Sequence, residues 1–309
     1  MVELADTQQL FVRPEYEILP IDKSSVLIRS PEQGLRVRVP GVAASDLAIA
    51  LRSLDGSRSF GALHKYGRGF AEIVGELVAR DIVRLGPNDS LPAETRCFAR
   101  THDDPRTCRR RLSASRVGVG GAVDLADQAR QGLHEVGVQS HEWRSGDLDL
   151  IVGCLGSPRD PFAELVHDES RAKKVPWLPL LVFGDAGFVG PLFLPTEGPC
   201  LKCLQSREAA NWTDPELTGL YYEAVARDGQ TALAHGSLPA YRGLVGYWGV
   251  LEATKFLAQF RVPALLGTML RIDFARGQAE PHRVLLVPRC RGCSPEVSRP
   301  PIDGHLFAS

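Results

Sequence analysis

The chain has 309 residues, 44% of them hydrophobic and 24% charged, with a formal net charge of −1. That composition is ordinary for a soluble globular protein of about two domains. Near-neutrality excludes recruitment of nucleic acid or acidic membranes by a global field, and no run approaches the ~20 apolar residues of a membrane span.

Residues 14–39 alternate as strands do. Tyr16, Ile18 and Leu19 mark a first segment, and Val26, Leu27 and Ile28 a second. Leu35-Arg36-Val37-Arg38-Val39 is a third, whose strict alternation gives one buried face and one wet face. Pro31-Glu32-Gln33-Gly34 reads as a turn. Ser45-Asp46 then caps a helix through Leu47, Ile49, Leu51 and Leu54 that ends at Gly56. Ser59 opens a short helix through Phe60, Leu63 and Tyr66, stopped by Gly67. A third helix carries Phe70, Ile73, Val74 and Leu77 along one face, a core stripe. Ile82-Val83-Arg84-Leu85 closes the module as a strand. Three strands, three helices and a wing predict a winged helix-turn-helix over residues 1–88. Its third helix bears Glu72, Glu76, Arg80 and Asp81 rather than the basic face that phosphate contacts need, so DNA is not the expected partner.

Residues 89–112 have linker composition, with Pro92, Asp103, Asp104 and Pro105. A weak strand, Arg96-Cys97-Phe98-Ala99, interrupts them, and Arg109-Arg110-Arg111 reads as a solvated run. The remainder, 113–309, alternates strand and helix. Arg116-Val117-Gly118-Val119-Gly120-Gly121 is a strand entering a glycine turn, followed by a helix over 124–135 and a second strand from Val136. Leu148 to Gly153 is a buried strand, Phe162 to Arg171 a helix, Val175 to Val182 and Gly187 to Gly190 further strands. This order predicts a mostly parallel, Rossmann-like sheet. His134 and His141 read as solvent-facing.

Two Cys-x-x-Cys pairs, Cys200/Cys203 and Cys290/Cys293, are the most specific signal. Four thiolates satisfy a tetrahedral zinc, and a closed four-sulfur site leaves no open position for catalysis. Cys200 and Cys290 stand 90 positions apart, so an ion there staples distant parts of one fold. Disulfides or a redox pair are the alternatives. The first residues, Met-Val-Glu-Leu-Ala-Asp, carry no secretory pattern, so a reducing cytoplasm is expected, and it disfavours them.

The run from Gly190-Pro191 through Cys200-Leu201-Lys202-Cys203-Leu204, with Gly118-Val119-Gly120-Gly121 before it and Cys290-Arg-Gly-Cys293 after, resembles the ThiF-like (ubiquitin-activating-enzyme-like) fold. More narrowly it resembles the ThiF-like cyclodehydratase partner proteins of thiazole/oxazole-modified microcin and thiopeptide pathways. Residues 14–86 resemble the PqqD-like leader-peptide recognition element of such systems. That resemblance implies a structural zinc on Cys200, Cys203, Cys290 and Cys293. It also implies capture of a precursor leader as an added strand along Leu35, Arg36, Val37, Arg38 and Val39, against Phe70, Ile73, Val74 and Leu77. An open strand edge supplies the unpaired N–H and C=O groups for this.

Active members of that fold adenylate a carboxylate with ATP. Here the third glycine position of the turn is Val123, and the expected Asn-x-x-Arg-Gln segment is missing before the strand at Leu148. Glu142 is left for ribose and Asp147 or Asp149 for magnesium. Gly118, Gly120 and Gly121 therefore read as a degenerate nucleotide turn kept for close packing, and ATP is not expected. The reading is a non-catalytic cytoplasmic adaptor that delivers a ribosomal precursor peptide to a separate YcaO-type cyclodehydratase for azoline formation, with room for a homodimer. The alternative is an adenylating enzyme acting on the peptide itself.

Overall fold

The computed structural model describes residues 5–13, 15–30, 33–86, 97–98, 105–228 and 236–293. Internal contacts divide the chain into two units, Met1–Cys108 and Arg109–Ser309.

The first unit runs β1 (Gln9–Val12), β2 (Glu17–Pro20), β3 (Ser25–Arg29), β4 (Gly34–Arg38), α1 (Ala44–Arg52), β5 (Asp55–Ser59), a 3-10 helix (Phe60–Tyr66), α2 (Arg68–Ala79) and β6 (Val83–Leu85). The three expected strands form the antiparallel meander β2-β3-β4, with Val26 opposite Val37 and Ile28 opposite Leu35. A second sheet, β5-β1-β6, was not foreseen, and it corrects the three-strand winged reading. Asp55-Gly-Ser-Arg-Ser has turn composition, yet Gln9 and Phe11 of β1 supply a partner edge that extends it. So α1 stops at Arg52 rather than at Gly56. Its N-cap is Ala43, without a side-chain cap, in place of Ser45-Asp46. Ser30 N–H donates to the Gln33 carbonyl at 2.8 Å across the β3–β4 turn, whose Pro31 and Glu32 lie outside the described residues. One core joins both sheets to both α-helices, with Leu10, Val26, Ile28, Leu47, Leu51 and Phe70 buried in it.

In the linker range, Cys97 and Phe98 are helical rather than extended, and Arg96 and Ala99 lie outside the described residues. The arginine run belongs to a helix, α3 (Pro105–Ala114), not to a solvated coil. Cys108 and Leu112 are buried, and Arg111 donates to the Ala258 carbonyl at 3.3 Å.

The second unit continues with β7 (Arg116–Gly121), α4 (Val123–Glu135), β8 (Gln139–Glu142), β9 (Leu150–Leu155), α5 (Pro161–Lys173), β10 (Trp177–Phe183), β11 (Ala186–Val189), α6 (Leu201–Ala209), α7 (Pro215–Asp228), α8 (Pro239–Ala258), β12 (Thr268–Asp273) and β13 (Gln278–Arg283). Its seven-stranded sheet has the order β13-β12-β11-β10-β9-β7-β8. The β8-β7-β9-β10 half is parallel and the β10-β11-β12-β13 half antiparallel, so the sheet is evenly mixed rather than mostly parallel. The β12–β13 hairpin was not anticipated. β8 starts at Gln139, because Val136 caps α4 and Gly137 turns the chain with φ +81°.

Strands β9 and β10 are near-continuous apolar runs because helices cover both faces. On one face α8 packs on α4 and on the sheet. A methyl on Gly132 would come 2.9 Å from Val250, and one on Gly249 2.6 Å from Leu180. On the other face, Val166 of α5 packs with Ile151, Trp177 and Phe193. Trp177 stacks on Phe193 at 4.9 Å and donates its indole N–H to His167 Nδ1 at 3.2 Å. His141 is half-buried with its Nε2 enclosed, which corrects its solvent-facing assignment; His134 is exposed. Among the described residues no helix is long and apolar enough to cross a membrane.

Burial, reinforced by the nearby Arg171 charge, pushes the His167 imidazole down from 6.5 to about 4. The unfolded chain therefore takes up this proton first as pH falls. The stability held by neutral His167 is complete above pH 6.5 and is lost on descending toward pH 4. A His167→Gln variant, which still accepts the Trp177 bond, should lose less stability across that window, by up to about 3 kcal/mol. Thermal melts of both proteins from pH 7 to pH 4 measure the difference.

Candidate metal centre and glycine turn

Cys200 sits in extended conformation (φ −99°, ψ 175°) as the N-cap of α6, and Cys203 lies in its first turn. That spacing turns both sulfurs to one side of the helix start. Cys290 and Cys293 come from the turn after β13, where Cys290 N–H bonds the Val287 carbonyl at 3.1 Å and Arg289 adopts φ +58°. All four sulfurs lie within 4.8 Å of one another. Three separations are 3.8 Å (Cys200–Cys203), 3.6 Å (Cys200–Cys290) and 3.5 Å (Cys203–Cys293). Zinc–thiolate bonds of about 2.3 Å would give tetrahedron edges of about 3.8 Å. The donor set and its spacing therefore fit a tetrahedral thiophilic ion.

Backbone N–H groups complete the surroundings. Val287 donates to Cys203 Sγ and Gly292 to Cys290 Sγ, each at 3.4 Å. Gly292 is closely approached, since a methyl there would come 3.0 Å from Cys200 Sγ. Burial opposes ionisation of Cys290, but the Gly292 N–H and the neighbouring thiols outweigh it and bring Cys290 down to about 7. Burial pushes Cys200 and Cys293 up, and bonds to neighbouring sulfurs raise Cys293 further. The four groups can share charge, but they cannot all become thiolates without a cation among them.

The glycine turn lies at the carboxyl end of β7. Gly118 and Gly120 face Trp143: a methyl on Gly118 would come 2.9 Å from Trp143 Cα and 2.6 Å from Leu148, and one on Gly120 would strike the indole ring. Gly121 has φ +105°, and a methyl there would strike the Cys154 carbonyl oxygen. Trp143 meets Phe162 edge-on at 5.0 Å and carries the Arg144 guanidinium over its face at 4.4 Å. Beyond the turn is an open cavity of about 590 Å³ at the carboxyl ends of β7, β9 and β10. Among its described lining residues the one cation is Arg242, which faces Asp124 at 3.5 Å and donates to the Ser237 carbonyl at 2.7 Å. Asp124 occupies the first turn of α4, where a phosphate would otherwise meet free N–H groups. Glu142, exposed, faces Arg130 at 3.5 Å. Asp149 accepts from Arg116 N–H at 2.8 Å, at the opposite end of β7 from the turn. A six-residue strand spans roughly 17–20 Å, so Asp149 and its neighbour Asp147 are out of reach of a magnesium at the turn.

In the first unit, β4 pairs with β3 alone among the described residues, so its other edge is open. Arg36 and Arg38 are exposed, Leu35 and Ile73 are half-buried, and Val37, Val39, Phe70, Val74 and Leu77 are core. α2 lies alongside the end of β4, with a methyl on Gly69 placed 3.3 Å from Val39. Arg36 pairs with Asp22 at 2.5 Å. The Asp22 carboxyl is held down at about 2, chiefly by the Ser24 backbone N–H. Trp143 was missed in the sequence. The one available signal was an aromatic residue at the end of β8, where a ribose-binding acid is expected.

The second unit is thus an α/β domain with four clustered cysteines that could hold a metal ion and a glycine turn packed against Trp143. Among solved structures the whole chain is similar to the heterocyclase TruD, with TM-score 0.73 and 17% identity over 93% of this chain and 43% of that one. A heterocyclase in complex with substrate and cofactor matches at TM-score 0.71 and 15% identity, over 93% of this chain and 39% of that one. E. coli MccB with ATP matches at TM-score 0.61 and 11% identity, over 92% of this chain and 99% of that one. The chain therefore spans about two-fifths of the heterocyclases and nearly all of MccB, and the likeness is one of fold. No protein-family model and no curated protein matches the sequence.

The purified protein should carry one thiophilic ion per chain by elemental analysis. A Cys203→Ser variant should lose it and melt about 10 °C lower, if on the order of 4 kcal/mol of metal stabilisation disappears. Gly121→Ala should also destabilise strongly, by several kcal/mol, because a strained φ and a carbonyl clash add; denaturant titration reads that loss.

Proposed function

We propose that this chain is an adaptor of azoline biosynthesis. Its first unit captures the leader of a ribosomally made precursor peptide, and its second presents that peptide to a separate YcaO-type cyclodehydratase. The observation that carries the reading is the match of 93% of this chain to 43% of a heterocyclase, combined with a glycine face packed by Trp143. The ring-forming chemistry is assigned to a partner enzyme, which would use ATP to activate backbone amides next to Cys, Ser or Thr. Zinc on Cys200, Cys203, Cys290 and Cys293 is the structural ion. It holds α6 and the 287–293 turn together and takes no part in the chemistry, since four thiolates leave no open position.

Leader capture is assigned to the open edge of β4. A guest strand there gains backbone hydrogen bonds along Leu35–Val39, and its side chains meet Leu35, Ile73 and the two arginines. Val37, Val39, Phe70, Val74 and Leu77 support that edge from within the core. Holding the leader raises the effective concentration of the distal core peptide at the partner's active site.

MccB, solved with ATP, spans the same length as this chain, and this favours the second reading, an adenylating enzyme. The Asp124–Arg242 pair and the lack of any other cation among the described lining residues count against it.

Reconstitution separates the two. The chain, a YcaO-type cyclodehydratase and a precursor peptide with a Cys/Ser/Thr-rich core, with ATP, should give a peptide that loses one water per ring by mass spectrometry, and omitting the chain should abolish or greatly slow this. Robust ATP–pyrophosphate exchange by the chain and peptide without the YcaO protein would instead establish the enzyme. In fluorescence polarisation, Arg36→Glu and Leu35→Asp in the full chain should each weaken labelled leader binding about tenfold. Unchanged affinity in both would move the leader site off β4.

A further inference from the structure

A second cavity, of about 540 Å³, lies among β9–β12, α5 and α6. One wall is apolar, made by Leu155, Leu181, Phe188, Leu201, Leu204 and Met269. The remaining lining includes polar and aromatic side chains. Arg159 lies 5.5 Å from the Trp212 ring centre and 5.4 Å from that of Tyr222. Its side chain is only 16% exposed, and it donates to the Gln205 carbonyl at 3.2 Å. The nearest carboxylate, Glu208, stands at 3.6 Å, beyond hydrogen-bond length. Burial pushes the Glu208 carboxyl up, against the pull of Arg159. Asp160 also lines the cavity, but its oxygens already accept from Phe162 N–H and Gly156 N–H. Arg271 adds a second guanidinium, paired with Asp273 only at 3.5 Å.

A desolvated planar cation facing an apolar chamber, without a short carboxylate partner, matches the two ends of one kind of molecule. We propose that this cavity binds a small amphiphilic carboxylate, with its aromatic or branched apolar body against the Leu–Phe–Met wall and its carboxylate on the Arg159 fork. Leu201, Leu204, Gln205 and Glu208 recur at helical spacing on α6, the helix that begins at Cys200, so the cysteine cluster and the cavity share one element. The site is independent of the leader-binding reading and stands or falls without it.

Isothermal titration of the full, metal-loaded chain tests this. The probes are 3-phenylpropanoate and its neutral amide, alongside N-acetyl-Ala-Ala-Phe with a free or an amidated terminus. The free acids should bind saturably, about tenfold tighter than the amides, as for loss of one charge-assisted bond. Tighter binding of 3-phenylpropanoate marks a free small acid as the occupant, and tighter binding of the peptide acid marks a chain terminus. In Arg159→Met the acid preference should vanish while weak amide binding persists. Ala163→Leu, which narrows the chamber, should weaken acid and amide alike, with circular dichroism checking the fold of both variants. Absence of saturable binding by either acid, equal affinity of acid and amide in the native chain, or an acid preference that survives Arg159→Met would overturn the assignment.

Discussion

Four sulfurs held within 4.8 Å of one another form an arrangement that thiols alone have little reason to adopt. Ionising all of them without a cation stacks like charges in a buried pocket, and leaving all protonated weakens the N–H···S bonds from Val287 and Gly292. A thiophilic cation removes the conflict. The consequence reaches beyond the sulfurs, because Cys200 and Cys203 start α6 while Cys290 and Cys293 lie just after the last strand of the sheet. Where α6 sits decides one wall of the 540 Å³ cavity, and the chain between the cysteine pairs supplies α7, α8 and the β12–β13 hairpin.

The glycine turn is shaped by close packing at the end of β7. Glycines at 118, 120 and 121 leave room over the end of β7, the arrangement that lets a nucleotide approach in many α/β folds. Here Trp143 and Phe162 pack against these glycines, and an open cavity of about 590 Å³ lies beyond the turn. The helix N-terminus beyond it carries Asp124, whose charge opposes phosphate. Close packing and an anion at the dipole's positive end explain these residues without any ligand. In the first unit, by contrast, β4 has no second strand partner among the described residues, and exposed arginines flank that edge.

Much of the architecture was legible in the chain. The strict alternation of Leu35–Val39 marked β4, the Phe70/Ile73/Val74/Leu77 stripe marked α2, and two Cys-x-x-Cys pairs marked the ligand set. These are signals of local period or fixed spacing, set by strand pleat, helix pitch and metal radius. What escaped had no local signature. Asp55–Ser59 looks like a turn and is a strand because β1 pairs with it. Gln278–Arg283 is exposed throughout and carries no burial pattern, but β12 supplies its register. Arg109–Arg111 looks like linker coil and is helical, with Arg109 and Arg110 exposed and Arg111 bonded to the Ala258 carbonyl.

The chain by itself determined that two modules exist, that the second is an α/β domain and that four cysteines can meet, because periodicity and ligand spacing are properties of short segments. Only tertiary structure decided that Trp143 packs against the glycine turn, that Asp149 sits at the far end of β7 from the turn, and that Arg159 lies against Trp212 and Tyr222. Each of these is a meeting of residues from separate elements, fixed by how sheet and helices pack and invisible in any window of neighbouring residues.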